Sequence, residues 1–260
     1  MAAARTRGPV RRVAIAAGVL VPLAVGGAEL AAWARPAPTA TVLAVGQGQA
    51  VLLTGPDGSV LVDGGASPSR LAGELGAHLP PWQRGLSALV ITGPGSGHVG
   101  GLAGLSYAAA TVLVAEGNPP GTAWRAVALA QAARGAVIRT AHAGQTWRLA
   151  GLRLDVLGPE PRAAAAGQLA LRVSGPGGGS FCDVADLDPD GQALAATHLT
   201  GTCDALLLPN GGRSAPAPDF ASAARPRRLI ASDTGGQLAR GLSRAVLSRT
   251  SEEGAIVVPL

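Results

Sequence analysis

His98 raises the first chemical question in this chain. It lies in LVITGPGSGHVGGL, residues 89–102, where an apolar run ends in a glycine-rich turn before a second glycine pair. One imidazole among so many glycines is either a catalytic ligand or the remnant of a site that has lost its other ligands. The remaining histidines, His78, His142 and His198, have no metal-ligand spacing among themselves. SGPGGGS at 174–180 is glycine-rich, but no Lys-Ser/Thr follows it, so it reads as a hairpin turn rather than a phosphate-binding loop. Ser243 and Ser248 belong to no Gly-x-Ser-x-Gly elbow. RPRR at 225–228 could touch phosphates or form a solvated strand entry. Cys182 and Cys203 would pair in an oxidising compartment; the alternative is two buried thiols.

The elements that must position these residues come in two series. TATVLAV, QAVLLTG and SVLVDGG are β-rich runs, and GPDG at 55–58 is a hairpin turn between the second and third. SPSRLAGELGAHL starts a helix, with Ser67 as cap and Pro68 in the first turn. LSALVITG is a buried strand, HVGGLAGLSYAA a helix, TVLVAEG a strand, TAWRAVALAQAARG a helix ending at Gly135, and AVIRTAH a strand. The second series opens with a hairpin in TWRLAGLRLDVLG and strands in QLALRVSG and GGSFCDVAD. A helix in PDGQALAATHL, a strand in CDALLLPNGG and a helix in SAPAPDFASAARP follow. RRLIASD, a helix near LARGLSRAVLSR and a final GAIVVPL complete it. Strands that come in bursts and then alternate with helices, twice, predict two mixed sheets face to face with helices outside.

Composition supports a large folded unit. The 260 residues are 47% hydrophobic and 14% charged, enough apolar material for a sizeable core. The net charge of +5 does not mark a nucleic-acid face, because Arg5, Arg7, Arg11 and Arg12 supply most of it and the rest carries only +1. Those arginines precede an apolar run from Val13 to Ala34, long enough to cross a bilayer at about 1.5 Å per residue. Glu29 would snorkel and Trp33 suits the interface. The positive-inside rule puts the N-terminus in the cytoplasm and the rest of the chain outside the membrane. A signal peptide cleaved after AWA at 32–34 is the rival reading, and it also exports the chain. RPAPTA at 35–40 reads as a linker.

Five blocks in order carry a family resemblance: VLAVGQGQAVLLTGPDGSVLVDGG, LVITGPGSGHVGGL, RLDVLGP, FCDVADLDP and CDALLLPNGG. Together they resemble the metallo-β-lactamase-like domain of the ComEC family, the DNA-internalisation proteins of bacterial competence. The resemblance runs from about Thr41 to Leu260. It implies an α/β fold, an αββα sandwich of two mixed sheets, with a hydrolase ancestry and a link to extracytoplasmic DNA. The chain would then divide into a basic cytoplasmic flank at 1–12, a transmembrane anchor or signal segment at 13–34, the linker, and this domain at 41–260.

The family's chemistry needs two metal ions, which lower the pKa of a bridging water and clamp phosphodiester oxygens. Its pattern, T/S-H-x-D-x-D-H-x-G-G, falls here on Thr92 to Gly101. The first histidine is Gly93, both aspartates are glycine, at 95 and 97, and His98 remains. The aspartates of the family's DVGQGD stretch are Ala44 and Gln49, and the paired histidines of its PHHGS block are Asn210 and Gly211. Asp186 aligns with the aspartate of the family's TGD, and Asp63 in VDGG persists. His98, Asp63 and Asp186 cannot hold two ions, since even a mononuclear site needs three or four protein ligands. Structural roles are therefore expected. Asp63 would cap a turn or the following helix, His98 would bond to its loop, and Asp186 would cap the helix near Pro189. Weak binding of one Zn or Mn ion and a rewired catalytic site are the alternatives.

These readings imply a membrane-anchored, catalytically inactive ComEC-like domain outside the membrane, binding DNA or a competence-channel protein. A metal-dependent hydrolase with substituted ligands, and a degraded fragment with no role, are the competing readings.

Overall fold

The computed structural model describes residues 37–117, 121–161, 168–242 and 246–260. The basic flank and the apolar segment expected as an anchor lie outside the described residues. Among the described residues no helix is long and apolar enough to cross a membrane.

The first sheet has seven strands in the order β14-β1-β2-β3-β4-β5-β6. These are β1 (Thr39–Val42), β2 (Val51–Gly55), β3 (Gly58–Val62), β4 (Gly85–Ile91), β5 (Ala108–Ala115), β6 (Val137–Ala141) and β14 (Ile256–Pro259). The hairpin of β2 and β3 turns at Pro56-Asp57, as GPDG predicts. From β3 to β6 all pairs are parallel, so each connection must cross over. The first crossover uses α1 (Pro68–His78): Ser67 accepts from the Arg70 N–H, Pro68 opens the first turn, and Leu71 and Leu75 are buried one turn apart. Each of those leucines contributes about 1.5–3 kcal/mol by leaving water.

The second sheet mirrors this plan, in the order β13-β12-β11-β10-β9-β8-β7. It contains β7 (Thr146–Leu149), β8 (Leu152–Gly158), β9 (Ala170–Ser174), β10 (Ser180–Asp183), β11 (Ala205–Leu207), β12 (Arg228–Ala231) and β13 (Leu247–Arg249). An antiparallel half precedes a parallel half, as in the first sheet.

Side-chain alternation along the strands sorts the core into three layers. Val51, Leu53, Val60 and Val62 meet Leu154, Val156, Val173 and Phe181 between the sheets. Leu52, Leu61 and Leu89 point the other way, onto Leu71 and Leu75 of α1. On the far side, Cys182 and Leu206 pack on Ala195 of α2 (Pro189–Thr197) and Phe220 of α3 (Pro218–Ala224). Two mixed sheets with helices on both outer faces are the arrangement expected from the strand bursts. Cys182 and Cys203 are joined as a disulfide that ties the crossover from β10 to β11.

Three expectations need correction. HVGGLAGLSYAA is not one helix: a single α turn at Ser96–Val99 passes into a 3-10 helix at Gly100–Gly104. Its glycines serve close backbone packing, since a Cβ on Gly101 would lie 1.9 Å from the Gly64 carbonyl oxygen. LARGLSRAVLSR is not helical to its end: residues 243–245 lie outside the described residues, and Leu247–Arg249 adds a parallel strand beside β12. β1 begins at Thr39, inside the stretch expected as linker.

Candidate functional site

The side chains that could do chemistry gather at one end of the sandwich, where strands of both sheets finish. Asp63 follows β3, Thr92 follows β4, and His98 sits in the α turn beyond it. From the second sheet come Asp183 at the end of β10, Asp186 beyond it, Asn210 after β11 and Ser232 after β12. The loop from β1 to β2 adds Gln47, Gly48 and Gln49. A cleft of about 270 Å³ opens beside His98 and Asp186.

Asp63 anchors the cluster from a backbone position that side chains rarely adopt. Its φ is +58°, while its N–H still donates to the Val90 carbonyl at 2.9 Å. A left-handed residue costs about 1–2 kcal/mol, so its bonds must hold it there. Oδ1 accepts the Thr92 N–H at 2.8 Å. Oδ2 accepts the Thr92 hydroxyl, the Gln49 amide at 3.0 Å and His98 Nδ1 at 2.7 Å. Ala185 and Asn210 are also non-glycine residues at positive φ, 49° and 52°. Backbone strain is therefore concentrated around this cluster.

His98 spans the two sheets. Its Nε2 lies 3.0 Å from Asp186 Oδ2, and Asp186 Oδ1 accepts the Asn210 N–H at 2.8 Å. Gln49 spans them as well, donating from Nε2 to Asp183 Oδ2 at 3.1 Å as well as to Asp63. Two further bonds cross the same gap: Ser232 Oγ to the Gly48 carbonyl at 2.8 Å, and Leu169 N–H to the Thr92 carbonyl at 2.7 Å.

The electrostatics follow from burial and pairing. Asp63, Asp183 and His98 are 0%, 2% and 4% exposed. Burial opposes the imidazolium, yet the Asp63 charge and the bonds to Asp186 and Asp63 push the His98 pKa up to about 11. Burial and the Asp63 charge push the Asp183 carboxyl up to about 7. Asp186 is also disfavoured by burial, but the bond and charge of His98 hold its carboxyl below the usual range.

The expected capping roles belong to other residues. Ser67 caps α1, and Asp188 caps α2 by accepting the Gly191 N–H at 2.7 Å. Asp63 reaches across to β4, and Asp186 reaches His98. His98 Nδ1 lies 3.0 Å from the Thr92 hydroxyl at the start of its own loop, as expected, and the ring bonds to the Asp63 and Asp186 carboxylates as well. The remaining imidazoles lie elsewhere: His78 is 3.6 Å from Glu74, His142 faces the Ala143 carbonyl and His198 pairs with Glu160 at 2.6 Å. Sequence reading passed over Asp183 and counted Gln49 only as a lost aspartate. The available signal was alternation: Phe181 faces the inter-sheet core, so Asp183 two residues on points to the same side.

The donor set does not fit a metal pair. Both His98 nitrogens are already bonded to carboxylates, and Gly93, Gly95 and Gly97 carry no donor side chain. The His98 ring lies against Gly93, where an added Cβ would stand 3.2 Å from its Cδ2. Among the described residues no group of three or more His, Cys, Asp or Glu is arranged to hold an ion.

No family model matches the chain, and no curated protein does. Solved structures do. The metallo-β-lactamase fold protein YhfI from Bacillus subtilis superposes with a TM-score of 0.54 at 13% identity, covering 85% of this chain and 98% of that one. A diphosphatase of the PhnP family gives 0.52 at 14%, covering 85% and 99%. CmlA, a diiron β-hydroxylase from Streptomyces venezuelae, gives 0.51 at 15%, covering 76% of this chain and 45% of CmlA.

Proposed function

With the metallo-β-lactamase fold of these neighbours as premise, we propose that the chain is a non-hydrolytic domain of the ComEC type. It is anchored by its apolar N-terminal segment, lies outside the cytoplasmic membrane, and acts as a binding or assembly module towards DNA or a competence-channel protein. One observation carries the loss of hydrolysis: the only imidazole in the cluster has both ring nitrogens bonded to carboxylates. Phosphodiester hydrolysis on this fold needs a water made nucleophilic by metal ions or by a base. An imidazolium held between two carboxylates stays protonated through the neutral range and accepts no proton. The ordered sequence blocks from Val42 to Gly212 support the family reading, and the arginine-flanked apolar start supports the anchored topology.

The test uses the full chain in detergent. Metal content and cleavage of single-stranded DNA are measured with added Mn²⁺ or Zn²⁺. No stoichiometric metal and no cleavage above a His98→Ala control are expected. Stoichiometric metal together with cleavage abolished by His98→Ala would establish the rewired hydrolase instead. DNA contact is read by fluorescence anisotropy over a salt series, where binding that weakens steeply with salt is expected. No binding at low salt removes DNA as the partner.

A further inference from the structure

We propose that Gln49 and His98 act together as a metal-independent latch between the two sheets, two N–H donors standing in for two cations. The inference rests on the reading that this site carries no metal pair. Buried Asp63 of the first sheet and buried Asp183 and half-buried Asp186 of the second converge at one end of the sandwich. Convergent carboxylates repel and lose hydration, so they persist only if donors or cations satisfy them. Each is satisfied by one of the two bridging side chains. His98 joins Asp63 to Asp186 at 2.7 and 3.0 Å, and Gln49 joins Asp63 to Asp183 at 3.0 and 3.1 Å. A carboxylate only accepts, so the amide's NH₂ must be the edge that faces both.

The replacements form one consistent set rather than independent losses. At position 49 the resembling pattern has an aspartate, which would add another acceptor to a cluster of acceptors. Glutamine reverses that role and donates. At position 93 the pattern has a histidine, whereas here the His98 ring fills the adjoining space, 3.2 Å from where a Cβ would stand. Glycine at 93 therefore leaves room for the ring that reaches Asp186. Ala185 N–H and Asn210 N–H add backbone donors to Asp183 at 2.7 Å and to Asp186 at 2.8 Å, completing the set from the second sheet.

Thermal unfolding of the full chain in detergent tests the latch. The wild-type Tm is expected to be the same with EDTA, Mn²⁺ or Zn²⁺. Gln49→Asp should lower Tm by roughly 5 °C or more, with no recovery on adding either metal. The swap of Gln49→Asp with Asp183→Asn restores an amide facing a carboxylate and should recover at least half of that loss. Should the single variant fail to fold, a swap that folds supports the latch. A swap that recovers nothing, a Gln49→Asp protein with wild-type Tm or a metal-dependent gain, or a wild-type Tm lowered by EDTA overturns it. The functional reading fails separately: metal-dependent DNA cleavage with an EDTA-insensitive Tm would sink that reading and leave the latch standing.

Discussion

His98 Nε2 lies 3.0 Å from Asp186 Oδ2, and this bond joins an α turn on one sheet to the loop that leaves the other. The same ring bonds to Asp63 at 2.7 Å, so one side chain carries a buried charge network across the sandwich. Removing it leaves buried Asp63 and half-buried Asp186 without the cation they share. His98→Ala is expected to cost about 3–5 kcal/mol in urea unfolding, the range for breaking a buried pair by deleting one partner. A loss below about 1 kcal/mol would reduce the contact to the value of a surface ion pair.

Stability should fall as pH rises. His98 is raised from 6.5 to about 11, so between those values the native chain holds a proton that the unfolded chain has released. Its contribution is complete below 6.5 and is lost as pH climbs towards 11, at no more than about 1.4 kcal/mol per unit. Asp183, raised from 3.8 to about 7, adds a decline in the same direction over that lower window. Asp186, held below its ordinary 3.8, acts the other way and withdraws stability as acid protonates it. Tm measured by circular dichroism should therefore be higher at about pH 5 than at pH 7, and higher at pH 7 than at pH 9. In His98→Gln the part above neutral pH should flatten. A wild-type Tm that climbs from about pH 5 to pH 9 would contradict this assignment.

The disulfide should stabilise the crossover that carries the second sheet's share of the cluster. Cys182 and Cys203 are 21 residues apart, and the loop between them holds Asp183 and Asp186. Closing a loop of that size is worth about 3 kcal/mol through the unfolded state. Paired Cys182→Ala and Cys203→Ala substitutions should shift the urea midpoint accordingly. Combined with His98→Ala, the losses should be non-additive by more than about 0.5 kcal/mol, because both act on the same loop.

Glycines divide into two kinds with opposite expected effects. Gly101→Ala would drive a Cβ to 1.9 Å from the Gly64 carbonyl oxygen, so a loss of about 1–3 kcal/mol or more is expected. Gly73 and Gly76 lie on the exposed face of α1 with nothing within 4 Å of an added Cβ. Alanine at either should gain about 0.8–1 kcal/mol from helix propensity. Differential scanning calorimetry of the three variants reads both signs.

Much of the architecture was legible before folding because it depends on local periodicity and turn chemistry. Alternating Val51-Leu52-Leu53 and Val60-Leu61-Val62 around Pro56-Asp57 already specify a hairpin with two apolar faces. Ser67-Pro68 with Leu71 and Leu75 specifies a capped amphipathic helix. The glycines at 93, 95 and 97 announce that donor side chains are missing, since glycine has none to offer. Tertiary structure alone decided where the remaining polar groups point. Asp63 and Asp183 are 120 positions apart, and no local pattern makes Gln49 their common donor. Nor does local sequence mark Leu247–Arg249 as a strand, because its ladder partner, Leu229–Ala231, lies in a different segment. Hydrogen bonds between distant carboxylates and their donors exist only after the two sheets have packed. The fate of His98, a bridging cation between Asp63 and Asp186, was therefore settled by the sandwich and not by the glycine-rich stretch that contains it.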